Sequence, residues 1–146
     1  GIRVSTNSQK GEFLESHSHS KHKTLLLMRY NRQVMLPEIG EAGQAKLKEA
    51  KVLIVGVGGL GSPIALYLAG AGVGTIGLID DDKVSISNLQ RQILYTEADI
   101  DRPKAVCAAE KLSSLNSEIR LHSYPTTPLK GEGMRFISSS SGYRSR

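Results

Sequence analysis

Four glycines in one short stretch of this chain are spaced so that the stretch can hold a phosphate group. Residues 56–61 read Gly-Val-Gly-Gly-Leu-Gly, and the glycines are Gly56, Gly58, Gly59 and Gly61. They permit a tight turn and a close approach of the backbone to an anion, and a helix that follows donates free N–H groups. Asp80 lies 24 residues after Gly56, where a carboxylate can reach the ribose hydroxyls of an adenosine. The pattern favours an adenine nucleotide over a glycine turn without a ligand.

Polar side chains and two cations follow Asp80 and help to distinguish between nucleotides. They are Ser87, Asn88, Leu89, Gln90, Arg91, Gln92 and, further along the chain, Lys104. A helix N-terminus handles most of the charge of a dinucleotide, whereas a triphosphate with Mg²⁺ needs additional cations. Arg91 and Lys104 could supply them, although each could also be an ordinary surface charge. These residues therefore favour ATP over NAD.

The elements that must position these residues alternate between strands and helices. The patterns predict a short helix over 40–50, buried strands over 51–56 and 75–80, and a third strand over 119–124. Ser62 is predicted to cap a buried helix with Pro63 in its first turn, and Asp101 to cap a helix over 102–116 that contains Pro103. Residues 81–92 are expected to form a loop and a short helix. This order is typical of an α/β fold with a doubly wound, Rossmann-like, mostly parallel sheet.

Charge and composition exclude several other classes of protein. The chain has 146 residues and a net charge of +5. Residues 1–28 hold four basic and two acidic groups, and residues 130–146 hold four basic and one acidic group, so 29–129 sum to zero. Because a nucleic-acid footprint should cluster on a folded face, no nucleic-acid partner is expected. No apolar run reaches the roughly 18 residues of a membrane span, so no membrane partner is expected.

The cysteine content excludes two further kinds of structural site. Cys107 is the single cysteine of the chain, which excludes an internal disulfide and a zinc site built from cysteine pairs. Its neighbours Ala108 and Ala109 place it on an apolar helix, so we expect it to lie in the core. No residue is predicted to be a metal ligand. A cytoplasmic protein is the expectation.

Five motifs together resemble the MoeB/ThiF/HesA family. Residues 29–33, Arg-Tyr-Asn-Arg-Gln, are similar to the R-Y-x-R-Q opening of that family. The blocks GVGGLGSP (56–63), LIDDD (78–82), SNLQRQ (87–92) and RPK (102–104) follow in the family's order and spacing. The similarity runs from about residue 29 to 129 and more faintly to 138.

The resemblance implies an ATP-dependent adenylyltransferase that uses Mg²⁺. Members transfer AMP to the C-terminal Gly-Gly of a ubiquitin-like sulfur-carrier protein, such as a MoaD- or ThiS-like one, and release pyrophosphate. By this resemblance Gly59 contacts the nucleotide and Asp80 holds the ribose. Ser87 to Arg91 would form a continuous binding stretch, and Asn88, Arg91 and Gln92 would line the path of the phosphates. The residues implied in catalysis are Arg32, Arg91 and Lys104. Arg32 would serve the partner subunit's site, so the family's active site needs a homodimer.

The family pattern breaks in the last part of the chain. The family places a catalytic aspartate in a D-x-T-D-N motif after its fourth strand, and this sequence has no such motif. We therefore expect three regions: a disordered extension over 1–28, a partial nucleotide-binding domain over 29–138 that is truncated after about three strands, and a non-family tail over 139–146. Such a fragment would be inactive by itself. The alternatives are a fragment of an NAD-dependent oxidoreductase and a non-catalytic nucleotide-binding module.

Overall fold

The computed structural model describes residues 28–127. The predictions for the N-terminal extension, for residues 130–138 and for the tail over 139–146 lie outside the described residues. The described part opens with a helical segment over 28–34. The remaining elements, in chain order, are α1 (Gly40–Glu49), β1 (Lys51–Val55), α2 (Gly61–Ala71), β2 (Thr75–Ile79), two 3₁₀ turns (Ile86–Asn88 and Glu97–Asp99), α3 (Lys104–Leu115) and β3 (Arg120–Tyr124).

The three strands form one open parallel sheet in the order β1-β2-β3. Lys51 pairs with Thr75 and Thr75 pairs with Arg120, so all three strands start level. Parallel strands need crossover connections, and α2 and α3 provide them. The sheet confirms the predicted doubly wound, Rossmann-like class. Because the strands run in one direction, the segments after β1 and β2 leave the sheet at the same edge, where such folds bind ligands.

The core lies between the sheet and its two crossover helices. Ile76 and Leu78 of β2 are fully buried in this core. Leu112 of α3 is fully buried beside them, and Cys107 is 3% exposed, which confirms its predicted place in the core. Within residues 28–127, no helix combines the length and the apolar composition needed to cross a bilayer.

The start of α2 differs from the prediction at one residue. The helix begins at Gly61, and Leu60 takes the N-cap position. Ser62 is therefore not the cap: it is buried in the first turn, and its Oγ donates to the Val57 carbonyl at 3.2 Å. Local sequence could not reveal this, because the glycine loop folds back over the helix start and places a carbonyl beside the serine.

The prediction of a buried α2 is wrong for its outer face. Ala65 and Ala69 face the core and are fully buried. Ile64 is 50% exposed and Tyr67 is 81% exposed on the opposite side. A helix that is apolar on all sides is predicted to be buried on all sides. Within the described residues, however, only one face of α2 packs against another layer.

The start of α3 also differs from the prediction. The helix begins at Lys104, and Pro103 rather than Asp101 occupies the N-cap position. Asp101 adopts a left-handed backbone with φ +66°, and its N–H donates to the Val84 carbonyl at 2.9 Å. Residues 101–103 therefore lie outside the helix, where their backbone bonds to residues 83 and 84.

Candidate nucleotide-binding site

The glycine loop joins β1 to α2 at the carboxyl edge of the sheet. Gly56 has a φ of +84°, and its N–H donates to the Ile79 carbonyl at 2.8 Å. A Cβ at Gly61 would lie 1.9 Å from the Gly56 carbonyl oxygen. Both positions need glycine, the first for its backbone angle and the second for the close approach. The loop thus leads directly into the N-terminus of α2, where free N–H groups favour an anion.

Asp80 follows β2 and has a role that the sequence did not predict. Its Oδ2 accepts from the Val57 N–H and its Oδ1 accepts from the Asp82 N–H, each at 2.8 Å. The side chain therefore ties the glycine loop to the end of β2. A carboxylate has about four acceptor sites, so the two oxygens retain acceptor capacity for ribose hydroxyls.

Tyr95, which the sequence did not single out, supports the glycine loop through a hydrogen bond. Its hydroxyl is buried and donates to the Val57 carbonyl, which also accepts from Ser62. Burial, followed by the nearby charge of Asp80, raises the pKa of Tyr95, so the hydroxyl keeps its proton and remains a donor. Tyr95 lies 38 positions from Val57 along the chain, and no local motif marks such a contact.

Two residues of the polar segment 87–92, Arg91 and Gln92, lie beside the glycine loop. A Cβ built at Gly58 would lie 3.5 Å from Gln92 Nε2, and one at Gly59 would lie 3.8 Å from Arg91 Nε. Gln92 is 4% exposed, and among the described residues its Oε1 has no hydrogen-bond partner. A buried carbonyl oxygen without a partner is costly, so this acceptor beside the loop suits a ligand that donates to it.

Hydrogen bonds from side chains to the backbone stabilise the turn within residues 85–91. The Asn88 Oδ1 accepts from the Ser85 N–H at 3.0 Å, and Arg91 Nη1 donates to the Ser87 carbonyl at 3.1 Å. Leu89 packs against the core, whereas Gln90 is exposed. The structure therefore brings Arg91 and Gln92 to the loop and uses Leu89 for packing. Nucleotide contact by the individual residues of the segment stays a prediction.

Lys104 is held at the same edge by a short backbone ladder. Its N–H donates to the Asp82 carbonyl at 3.0 Å, and Lys83 bridges Pro103 in antiparallel fashion. Its Nζ lies 3.2 Å from Asp82 Oδ2, and the lysine side chain is only 6% exposed while that of Asp82 is 69% exposed. An ammonium group has three donors and this bond uses one. Phosphate oxygens fit the remaining donors.

Arg32 lies at the other end of α2. Its neighbour Gln33 donates to the carbonyl of Ala71, the last residue of that helix, at 3.1 Å. Eleven residues of helix separate this end from the glycine loop by about 15 Å. Arg32 is exposed, and no hydrogen bond or ion pair joins its side chain to any residue in 28–127. The structure thus gathers Asp80, Arg91 and Lys104 at one edge but keeps Arg32 away from them within one chain.

The doubly wound sheet, the glycine loop and the acid after β2 define a nucleotide-binding domain, and comparison with known proteins identifies its family. Residues 30–141 match the sequence profile of the ThiF family. The match covers most of the chain, so the chain belongs to that family. This confirms the resemblance seen in the five motifs.

The chain aligns with only part of the length of each relative. The chain is 60% identical over 94 residues to the sulfur carrier protein ThiS adenylyltransferase of Escherichia coli (strain K12). The aligned stretch covers 64% of this chain and 38% of that protein. It is 50% identical over 99 residues to a sulfur carrier protein adenylyltransferase of Thermus thermophilus, covering 68% of this chain and 36% of that one. The crystal structure of E. coli MccB with ATP matches with a TM-score of 0.58 and 35% identity, over 66% of this chain and 28% of MccB.

Proposed function

We propose that this chain carries the nucleotide-binding half of an ATP-dependent adenylyltransferase that activates the C-terminal Gly-Gly of a ubiquitin-like sulfur-carrier protein. One observation carries the proposal: the glycine loop, Asp80, Arg91, Gln92 and Lys104 meet at a single edge of the sheet. The relatives named as sulfur carrier protein adenylyltransferases support this reaction class, and the solved complex of MccB with ATP supports the choice of nucleotide.

The chemistry of adenylation suits these residues. The carrier's terminal carboxylate displaces pyrophosphate from the α-phosphorus of ATP, a step that needs alignment and charge neutralisation more than covalent catalysis. The loop and the N-terminus of α2 would hold phosphate oxygens, and Asp80 would hold the ribose. Arg91 and Lys104 would balance the charge that moves to the leaving pyrophosphate. Mg²⁺ would accompany ATP and neutralise phosphate charge.

Oxygen ligands of the kind that Mg²⁺ prefers lie close by. The carboxylates of Asp80, Asp81 and Asp82 offer oxygens within 4.8 Å of one another, and hard cations favour such groups. Exposed acidic groups are common without a metal, so we assign no ligand role to them. The site fits a nucleotide on other grounds, namely the glycine cradle and the nearby cations of Arg91 and Lys104.

The complete reaction needs more than the described residues. The chain spans 38% of the length of its E. coli relative, and the D-x-T-D-N motif of the family is absent from its sequence. We propose that Arg32 serves the nucleotide of a partner subunit in a homodimer. We also expect the 146-residue polypeptide alone to bind ATP without adenylating a carrier.

Nucleotide binding is the part of the proposal that this chain can test directly. Asp80→Ala should weaken binding of a fluorescent ATP analogue by about 1–3 kcal/mol, because charge-assisted hydrogen bonds to the ribose are lost. Asp81→Ala removes the neighbouring exposed carboxylate and should leave the affinity near that of the wild type. Circular dichroism of both variants checks that the fold survives, since Asp80 also holds Val57.

Competition separates the proposal from its alternatives. Unlabelled ATP should displace the analogue, whereas NADH should not displace it at the same concentration. Displacement by NADH alone would favour the oxidoreductase fragment. Equal affinities of the wild type and Asp80→Ala would reject the assignment of the ribose to Asp80.

A further inference from the structure

The helical segment 28–34 caps the C-terminal end of α2. The last carbonyls of a helix lack partners within the helix, and two of those in α2 are satisfied from outside. Gln33 and Gln44 both donate to the Ala71 carbonyl at 3.1 Å. Asn116 donates to the Ala69 carbonyl at 2.9 Å. The same helix therefore carries the glycine loop at one end and the R-Y-x-R-Q segment at the other.

Asn116 connects this segment to the sheet. It is fully buried, and its Nδ2 also donates to the Tyr30 hydroxyl at 2.7 Å, while its Oδ1 accepts from the Glu118 N–H at 3.2 Å. One side chain thus joins the helical segment, α2 and the residues that lead into β3. A buried amide with its hydrogen-bonding groups satisfied in this way fixes the relative position of the elements that it joins.

Three further contacts hold the segment in one orientation. Arg29 Nη1 donates to the Leu115 carbonyl at 3.0 Å, and Gln33 Nε2 donates to Gln44 Oε1 at 2.7 Å. The Tyr30 ring packs so closely on Gly72 that a Cβ there would lie 2.7 Å from the ring. Arg32 is the exception in this motif, because its charged side chain has no partner among the described residues.

We infer that Asn116 and Gln44 are positioning residues for Arg32. Through Tyr30 and Gln33 they hold the segment against the end of α2, so that the guanidinium, which has no partner within residues 28–127, is presented on a fixed support to an anion of a second copy of this chain. Neither residue belongs to any motif that the sequence analysis identified. The inference rests on the proposed function for the identity of that anion, a nucleotide phosphate, but not for the anchoring itself.

The anchoring can be tested without any activity. Tyr30→Phe removes the bond to Asn116 and leaves the ring in place, which avoids disturbing the buried amide itself. Hydrogen exchange of the amides in 31–36 should become about three- to tenfold faster, as the loss of one hydrogen bond predicts. Tyr67→Phe makes the same chemical change at an 81% exposed ring and should change nothing. Unaltered exchange in Tyr30→Phe would overturn the inference.

A double-mutant cycle tests whether the anchors act through Arg32. The cycle compares Tyr30→Phe, Arg32→Ala and the double variant in affinity for a fluorescent ATP analogue, measured at protein concentrations where the chain self-associates. We expect Tyr30→Phe to weaken binding about three- to tenfold in the wild-type background and to have no effect once Arg32 is alanine. Additive effects would mean that Tyr30 acts only on stability and would overturn the positioning role.

The two experiments separate this inference from the proposed function. If the wild type binds no ATP analogue, the proposed function fails, while the exchange data still decide the anchoring. If ATP binds but Arg32→Ala has no effect, the nucleotide site stands and the presentation of Arg32 is wrong.

Discussion

Asp80 combines a structural role with the ribose-binding role that we propose for it. Its two oxygens accept from the backbone N–H groups of Val57 and Asp82, so the carboxylate is fixed before any nucleotide arrives. Such preorganisation lowers the entropic cost of binding. Lys104 is comparable, because a backbone ladder and an ion pair with Asp82 hold its ammonium group in a nearly buried position.

Tyr95 provides a prediction at the residue scale. Its pKa is raised in the folded protein, chiefly by burial, whereas in the unfolded chain it is about 10. Below pH 10 both states keep the proton, and above it only the unfolded chain loses it, so stability falls as pH rises further. Tyr95→Phe should lower the free energy of unfolding by about 1 kcal/mol at neutral pH and make this alkaline fall shallower.

Urea denaturation at pH 8 and at about pH 10.5 measures both effects, the second pH being just above the tyrosine pKa. Tyr67→Phe is the control, because its exposed hydroxyl should leave the wild-type pH dependence intact. An alkaline fall of equal steepness in wild type and Tyr95→Phe would contradict the buried assignment.

At the scale of elements, α2 connects the glycine loop at its N-terminus to the helical segment 28–34 at its C-terminus. Its N-terminus continues the glycine loop, and its C-terminus ends at Gly72 in a left-handed conformation under the Tyr30 ring. The helix is thus a spacer of fixed length between the glycine loop and the segment that carries Arg32. This geometry supports the proposal that Arg32 serves the site of another chain.

Two glycines of the same helix should respond in opposite directions to alanine. Gly61→Ala places a Cβ 1.9 Å from the Gly56 carbonyl, so the loop must shift and we expect a loss of about 2 kcal/mol or more. Gly70→Ala meets nothing within 4 Å and should gain about 0.5–1 kcal/mol from helix propensity. Chemical denaturation of both variants gives the comparison. Equal effects would show that the close approach at Gly61 is absent in solution.

At the scale of the molecule, the sheet has an open side within residues 28–127. β1 pairs only with β2 among the described strands, and Val55 is 59% exposed at its end. Leu60, Ile64 and Tyr67 add apolar surface on the outer face of α2. An unpaired strand edge and an exposed apolar patch both favour association with other chains.

The 146-residue polypeptide should therefore self-associate. Val55→Lys places a charge at the open edge and should shift sedimentation towards the monomer, because edge lysines oppose strand pairing. Ile86→Lys is a matched control at a 73% exposed apolar side chain away from that strand. A wild type that sediments as a monomer at all concentrations would contradict the prediction. A monomer shift that is equal in both variants would point to general apolar association instead.

Local patterns in the sequence were sufficient for the fold class and for the glycine loop, Asp80, Arg91 and Lys104, which meet at the carboxyl edge of the sheet. Local sequence is enough to identify a β-branched strand, a glycine loop and an acid after the next strand. Because parallel strands place their carboxyl ends at the same edge of the sheet, these residues are then expected to lie close together. Tertiary structure alone decided the roles of Ser62, Asp101, Tyr95 and Asn116. Their partners lie far along the chain or belong to backbone carbonyls that only the folded loop exposes. Hydrogen bonds of this kind leave no periodic trace in a sequence, because any donor of suitable length can satisfy a carbonyl once packing has placed it there.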